Sequence, residues 1–128
     1  MNGLSLAYIG DAVYEVAVRK HLLELGFTKV NAMQKHSRHY VSAKAHAAIY
    51  AVMEADGLLK ENEMTYFKRG RNAKSHTSAK HTEVIKYRIS TGIEAMFGYL
   101  YLSGQMNRFD ELMNWIFAAV EDGRARYE

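Results

Sequence analysis

The sequence predicts an all-α fold, a compact multi-helix domain spanning residues 1–128 as one unit. Three observations carry this. None of the 128 residues is proline, so no helix is interrupted by a missing backbone N–H. The apolar residues recur at three- and four-residue spacings, and no stretch alternates as a half-buried strand would. Most of the nine glycines fall between the periodic stretches, where helices stop.

The elements follow in order. Leu4 to Leu25 is predicted helical, with Ile9, Ala12, Val13 and Val16 as its apolar stripe and Gly26 as its stop. Phe27 to Glu54 continues helically in two pieces. Asn31 is suited to cap the first, and Ser42 to begin the second, where alanines favour helix. Asp56-Gly57 ends it. Asn62 is a plausible cap for a short helix through Phe67. Arg69 to Lys80 has little apolar content and many turn residues, and reads as a loop. Thr82 to Leu102 is helical again, with Ile93, Met96, Phe97 and Leu100 on its apolar face, and Ser103-Gly104 breaks it. Asn107 or Asp110 opens a last helix through Val120, carrying Leu112, Trp115, Ile116 and Ala119. The polar tail from Glu121 to Glu128 is expected to fray.

Composition removes several function classes. There is no cysteine, hence neither a disulfide framework nor a thiolate metal site. No apolar run approaches the roughly 20 residues of a membrane span, and no secretory signal opens the chain. A cytoplasmic location with no membrane partner is expected. The net charge of +3 hides an uneven distribution. Lys68 to Arg88 holds seven basic residues and one acid, Glu83, for +6; the remaining ten basic and thirteen acidic residues give −3. A focused positive field attracts polyanions, although a solvated lysine-rich loop has the same composition.

Two acidic features stand out. Asp11 and Glu15 lie four residues apart in the first helix, on one side with Leu4 and Tyr8 and away from the Ile9/Val13/Val16 stripe. Gly10, directly before Asp11, costs about 1 kcal/mol in a helix interior, and close approach of another helix or a ligand would offset it. Glu94 is the only acid between Glu83 and Asp110, flanked by Gly92 and Gly98. A carboxylate in such apolar surroundings needs a cation or donor. Two glycine-flanked acids from two helices are suited to hold a divalent ion. Oxygen-only ligation points to Mg2+, with Mn2+ possible, rather than zinc. The alternative is that Asp11 and Glu15 are surface acids and Glu94 pairs with Lys86 or Arg88. The histidines show no metal-binding pair around an acid, and Tyr8, Tyr66, Tyr87 and Tyr101 read as half-buried packing residues.

These residues match a known pattern. Leu6-Ala-Tyr-Ile-Gly-Asp-Ala-Val-Tyr-Glu15 resembles the signature of the ribonuclease III family, usually L-E-F-L-G-D-A-V-L. Glu94-Ala-Met-Phe-Gly-Tyr-Leu-Tyr-Leu102 resembles its second acidic motif, D-x-x-E-A-x-x-G-x-x-Y. The order and separation agree, and the resemblance covers essentially the whole chain. Two of the family's four carboxylates are absent, replaced by Ala7 and Thr91. Together with Tyr40-Val-Ser-Ala-Lys44 and Lys68 to Ser75, and with no room for a double-stranded-RNA-binding domain, this is similar to the bacterial branch reduced to the catalytic domain.

The resemblance implies a cytoplasmic homodimer that cleaves double-stranded RNA, trimming stems of the 23S ribosomal RNA precursor, in the context of ribosomal precursors or a ribosomal protein. It implies Asp11 and Glu94 as catalytic, metal-holding residues; Glu15 is a further candidate for the metal site. Duplex RNA is read mainly by shape, phosphates and 2′-hydroxyls. Lys68, Arg69, Arg71, Lys74 and Lys80 suit phosphates and Asn72 a groove edge; Lys44 and His46 are candidates for the scissile phosphate. Tyr8, Met33, Phe97 and Tyr101 are candidates for the dimer interface. A catalytically inactive duplex-RNA-binding or ribosome-associated relative is the alternative reading.

Overall fold

A computed structural model of the chain describes residues 1–73 and 81–127. Its helices are α1 (Gly3–Glu24), α2 (Val30–Val41), α3 (Ala43–Ala55), α4 (Glu61–Arg71), α5 (His81–Leu102) and α6 (Met106–Glu121), and no strand occurs among the described residues. The all-α expectation holds. Lys74 and Lys80, two of the expected RNA contacts, lie outside the described residues.

Local chemistry sets most boundaries. The Asn2 side chain accepts from the Ser5 amide at 2.8 Å and caps α1. Leu25 and Gly26, the latter at φ +100°, turn the chain out. Ser42 caps α3 through the Ala45 amide at 3.1 Å, as expected. Lys29, not Asn31, precedes α2, and Lys60, not Asn62, precedes α4. At α4 the deciding contact is the Glu63 carboxylate, which reaches back to the Lys60 amide at 2.8 Å. α4 also runs four residues past Phe67. Lys68, Arg69 and Arg71 therefore sit on a last helical turn and not in a loop, where cations complement the carbonyl end of the helix dipole.

α5 is the central element, packed by α1, α3, α4 and α6. Ile93, Met96, Phe97 and Leu100 on it are fully buried, as expected, against Tyr14, Val18 and Leu22 of α1, Ile49 and Met53 of α3, Phe67 of α4, and Phe109, Leu112 and Ile116 of α6. The face of α1 differs from expectation. The buried line is Leu6, Gly10, Tyr14, Val18 and Leu22. Val16 is 66% exposed, and Ile9 and Val13 lie on the flank. Gly10 and Tyr14 occupy the centre of the buried line, and neither reads as a core residue in a hydropathy pattern.

The C-terminal residues are also held more firmly than expected. Ala125 is buried and its amide donates to the Ala119 carbonyl at 2.9 Å. The Tyr127 hydroxyl donates to the Arg38 carbonyl at 3.4 Å, which ties the tail to α2. No helix among the described residues is long and apolar enough to cross a membrane.

Candidate active site

α1 and α5 cross with their backbones in contact. A Cβ built on Gly10 would lie 1.7 Å from the Glu94 carbonyl oxygen, and one built on Gly98 would lie 2.1 Å from that of Leu6. No larger residue fits either position without moving a helix. This close approach offsets the intrinsic cost of a mid-helix glycine. It also sets the carboxyl groups of Asp11 and Glu94, some eighty positions apart in sequence, within hydrogen-bonding reach of each other. Asp11 is exposed and Glu94 half-buried, so the pair lies at the rim of the crossing, open to solvent.

The electrostatics of the pair follow from this geometry. Burial first, then the shared hydrogen bond with Asp11, then the negative charges of Asp11 and Glu15 push the Glu94 carboxyl up to about 8. Crowded carboxylates share a proton for this reason. Glu15 stands one turn beyond Asp11 and accepts from Arg19 Nε at 3.2 Å. Neither Lys86 nor Arg88 forms an ion pair with Glu94.

The donor set can be tested against a divalent ion. Two carboxylate oxygens that repel each other are hard ligands, and Mg2+ or Mn2+ would displace the shared proton and relieve the repulsion. The set is small. Among the described residues no group of three or more His, Cys, Asp or Glu is arranged to hold a metal. Where the ribonuclease III pattern has further carboxylates, Ala7 packs in an apolar cluster with Leu6 and Ala95 under Tyr66 and Tyr99, and the Thr91 hydroxyl donates to the Tyr87 carbonyl at 3.0 Å. The residues fit an ion that retains several waters or takes oxygens from a phosphate.

A pH prediction follows. Glu94 is raised from 4.5 to about 8, so its proton binds more tightly in the folded chain. Its favourable contribution is complete below about pH 4.5 and is lost as pH rises through about 8. In EDTA, thermal unfolding is expected at lower temperature at pH 8.5 than at pH 5.5, with Mg2+ restoring part of the loss at pH 8.5. The Glu94→Gln variant should lose this component. An identical pH slope in that variant would contradict the assignment.

The other expected site residues are dispersed. Lys44 is exposed on the first turn of α3. His46, two residues later, is 1% exposed and cannot touch a phosphate; burial lowers it to about 4 against an opposing pull from the Tyr40 carbonyl. Lys68 and Arg69 are exposed at the end of α4, with the Arg69 guanidinium 4.7 Å over the Tyr66 ring, itself stacked on Tyr99. Arg71 Nε donates to Asn72 Oδ1 at 3.2 Å. Of the expected interface residues, Phe97 is fully buried in the core and cannot meet a partner, and Met33 packs half-buried against that core. Tyr8 is 85% exposed and Tyr101 43%. Tyr8 and Tyr87 are thus not the packing residues their spacing suggested; Tyr87 is also more than half exposed.

The groups directly behind the carboxylates carry no hydropathy signal of their own. Tyr14 lies three residues after Asp11 and Ser90 four before Glu94, both at same-side helical spacing. That spacing was the available signal.

The chain matches the Ribonuclease III domain over residues 4–105. It is 50% identical over 120 residues to the Mini-ribonuclease 3 of Enterococcus faecalis, covering 94% of this chain and 91% of that one. To the Mini-ribonuclease 3 of Streptococcus pneumoniae it is 45% identical over 121 residues, covering 94% of each. A crystal structure of a Fusobacterium nucleatum protein superposes with a TM-score of 0.77 at 29% identity, covering 93% of both chains.

Proposed function

Because the chain belongs to the ribonuclease III family and is an endoribonuclease, we propose that it hydrolyses double-stranded RNA at the Asp11–Glu94 pair as a single catalytic domain. The observation that carries the reading is the convergence of these two carboxyl groups at the glycine crossing of α1 and α5. When bound, a divalent ion, Mg2+ or Mn2+, supplies a water of lowered pKa and neutralises charge developing on the phosphate. Asp11 and Glu94 are the residues that would hold that ion, and Glu94 would have to be ionised to serve as a ligand. Glu15, if released from Arg19, orients a water one turn away. The decisive experiment is incubation with a long duplex RNA in Mg2+ and in EDTA. Cleavage in Mg2+ alone supports the reading, and none in either sinks it.

The substrate class has a second support in charge. Lys68 and Arg69 are exposed and Arg71 half-buried on the last turn of α4, with Asn72 as its cap, and Lys44 stands on another helix; Lys74 and Lys80 belong to the same proposed RNA-binding set. Each phosphate contact contributes about one unit to the log–log salt slope of binding. The double variant Lys68→Ala/Arg69→Ala is expected to lower that slope by about two units, read by filter binding over a salt series. An unchanged slope would remove these residues from the interface. The proposed natural substrate is a stem of the 23S ribosomal RNA precursor, in the cytoplasm and in a ribosomal-precursor context; the similarity to the branch of the family reduced to its catalytic domain supports this.

Two antiparallel strands call for two active sites related by a two-fold axis. The proposed homodimer uses the apolar depression lined by Met1, Leu4, Tyr8, Ile9 and Leu102, from which Tyr8 projects. In a two-fold contact each Tyr8 meets the same patch on its partner. Tyr8→Glu would place a charge in that contact and is expected to weaken the dimer by about 100-fold. Sedimentation velocity should then show a monomer; an intact dimer would move the interface elsewhere.

A further inference from the structure

Behind the carboxylate pair, on the core side of the α1–α5 crossing, lies a buried polar cluster drawn from four helices. The Tyr14 hydroxyl on α1 donates to the Tyr40 carbonyl at the end of α2, at 2.5 Å. His46 on α3 sets its ring edge-on to Tyr14, with centroids 4.9 Å apart and planes at 86°. Its Nδ1 is 2.7 Å from the Ser90 hydroxyl on α5. Tyr14, His46 and Ser90 are all buried. His46 therefore touches both crossing helices, one turn from Asp11 on α1 and one turn from Glu94 on α5.

We infer that His46 is a positioning residue, a clamp from α3 that fixes the rotation of α1 against α5 and so the spacing of Asp11 and Glu94. The inference rests on the reading of that pair as the metal-holding site. The crossing calls for such a clamp: at Gly10 and Gly98 it is mainly backbone on backbone, with Ile9 Cγ2 close to Gly98, so the rotation of the two helices is set by side chains farther along them.

The choice of residue points the same way. A buried site between Tyr14 and the core would be filled at lower cost by an apolar side chain. Here it holds an imidazole kept neutral by burial, whose Nε2 lacks a hydrogen-bond partner among the described residues. The bond between Nδ1 and the Ser90 hydroxyl ties α3 to α5 in either tautomer, and the Tyr40 carbonyl that Tyr14 engages acts on the same ring. Leucine or phenylalanine would fill the volume but lose the directional link to α5.

The test uses His46→Phe, Ser90→Ala and His46→Gln in the full chain. Mn2+ binding is measured by calorimetry without RNA, and kcat and KM are measured separately on duplex RNA. Phe removes the Ser90 link while keeping bulk; Gln retains an amide that can bond to the Ser90 hydroxyl as donor or acceptor. Loss of a group that orients metal ligands costs about tenfold or more in metal affinity. The Kd for Mn2+ is expected to rise about tenfold in His46→Phe and in Ser90→Ala. The kcat should fall with it, KM for RNA should hold, and Gln should recover most of the loss. Should Phe fail to fold, Ser90→Ala decides by the same two readouts. Folded variants with unchanged Mn2+ affinity and kcat overturn the proposal, whatever happens to their melting temperature. Wild-type protein that neither binds Mn2+ nor cuts duplex RNA defeats the functional reading itself, a separate result.

Discussion

Asp11→Asn and Glu94→Gln are each expected to lower the rate of duplex-RNA cleavage by about 1,000-fold or more, with helicity and RNA binding retained. Each change keeps the size of the side chain and removes one hard, charged ligand from a site where, among the described residues, no third group completes a metal cluster. The thermal behaviour should separate this from damage to the fold. A structural ion pair loses stability when one partner is neutralised. Here the partners are like charges, and Glu94 is already driven up to about 8 by burial and by Asp11. Neutralising either one relieves the crowding, so both variants should melt at or above the wild-type temperature in EDTA at pH 8.5. Divalent ions bind the folded state and stabilise it by mass action, and that increment should vanish in both variants. Near-normal turnover in either variant would remove the pair from the catalytic centre. Inactivity coupled to a lower melting temperature would instead mark it as part of the scaffold.

The existence of the helices is legible in the sequence because the cues are local. Ser42 caps, Gly26 and Gly104 stop, and the Ile93/Met96/Phe97/Leu100 face of α5 carries an unmistakable period. The start of α4 is less legible: Glu63 fixes it through the nearby Lys60 amide, but that carboxylate is also gripped by Arg108 from α6. The burial of α1 is hidden for a different reason. Its closest contact is made by Gly10, which has no side chain to score, and its largest buried group is Tyr14, whose hydroxyl is satisfied by a carbonyl 26 residues away. The two carboxylates are legible as a pair because each sits beside a glycine and within a motif that resembles the ribonuclease III pattern. What they face is not: Ala7 and Thr91 show that two ligands are missing, but only the packing of Tyr66 and Tyr99 over Ala7 shows the gap closed by apolar groups. His46 looks like a surface histidine near a lysine. Its burial depends on Tyr14 and Ser90, which no local pattern links to it.

The largest loss of stability is expected from Arg108→Ala, at about 3–5 kcal/mol. Glu63 is completely buried on α4, and Arg108 on α6 grips it with two hydrogen bonds, Nε to Oε2 at 2.7 Å and Nη2 to Oε1 at 2.8 Å. The same guanidinium donates to the Leu58 carbonyl at 2.8 Å and pairs with Glu111. Burial alone would raise the Glu63 carboxyl; Arg108 and the Lys60 amide outweigh it and hold the group below 4.5. A depressed carboxyl stabilises the fold above its unfolded pKa and stops doing so as pH falls through the folded value. The wild type should therefore lose this contribution only under acid. In Arg108→Ala the buried Glu63 carboxylate keeps one amide donor and only the weaker influence of the Lys60 charge, so the balance reverses: the variant should be weakest at neutral pH and recover relative to wild type below about pH 4.5. Urea midpoints at pH 7 and pH 4 measure both limbs. Arg108→Met combined with Glu63→Leu removes both charges and should regain most of the neutral-pH loss, because an apolar pair of similar volume pays no desolvation. If the double variant is as unstable as Arg108→Ala, packing around the Arg108 stem is the main contribution and the ion pair is secondary. Below the unfolding transition the variant should keep its salt slope for RNA, since Lys68 and Arg69 lie at the opposite end of α4, where Gly70 packs on Ala95 and Thr91 of α5.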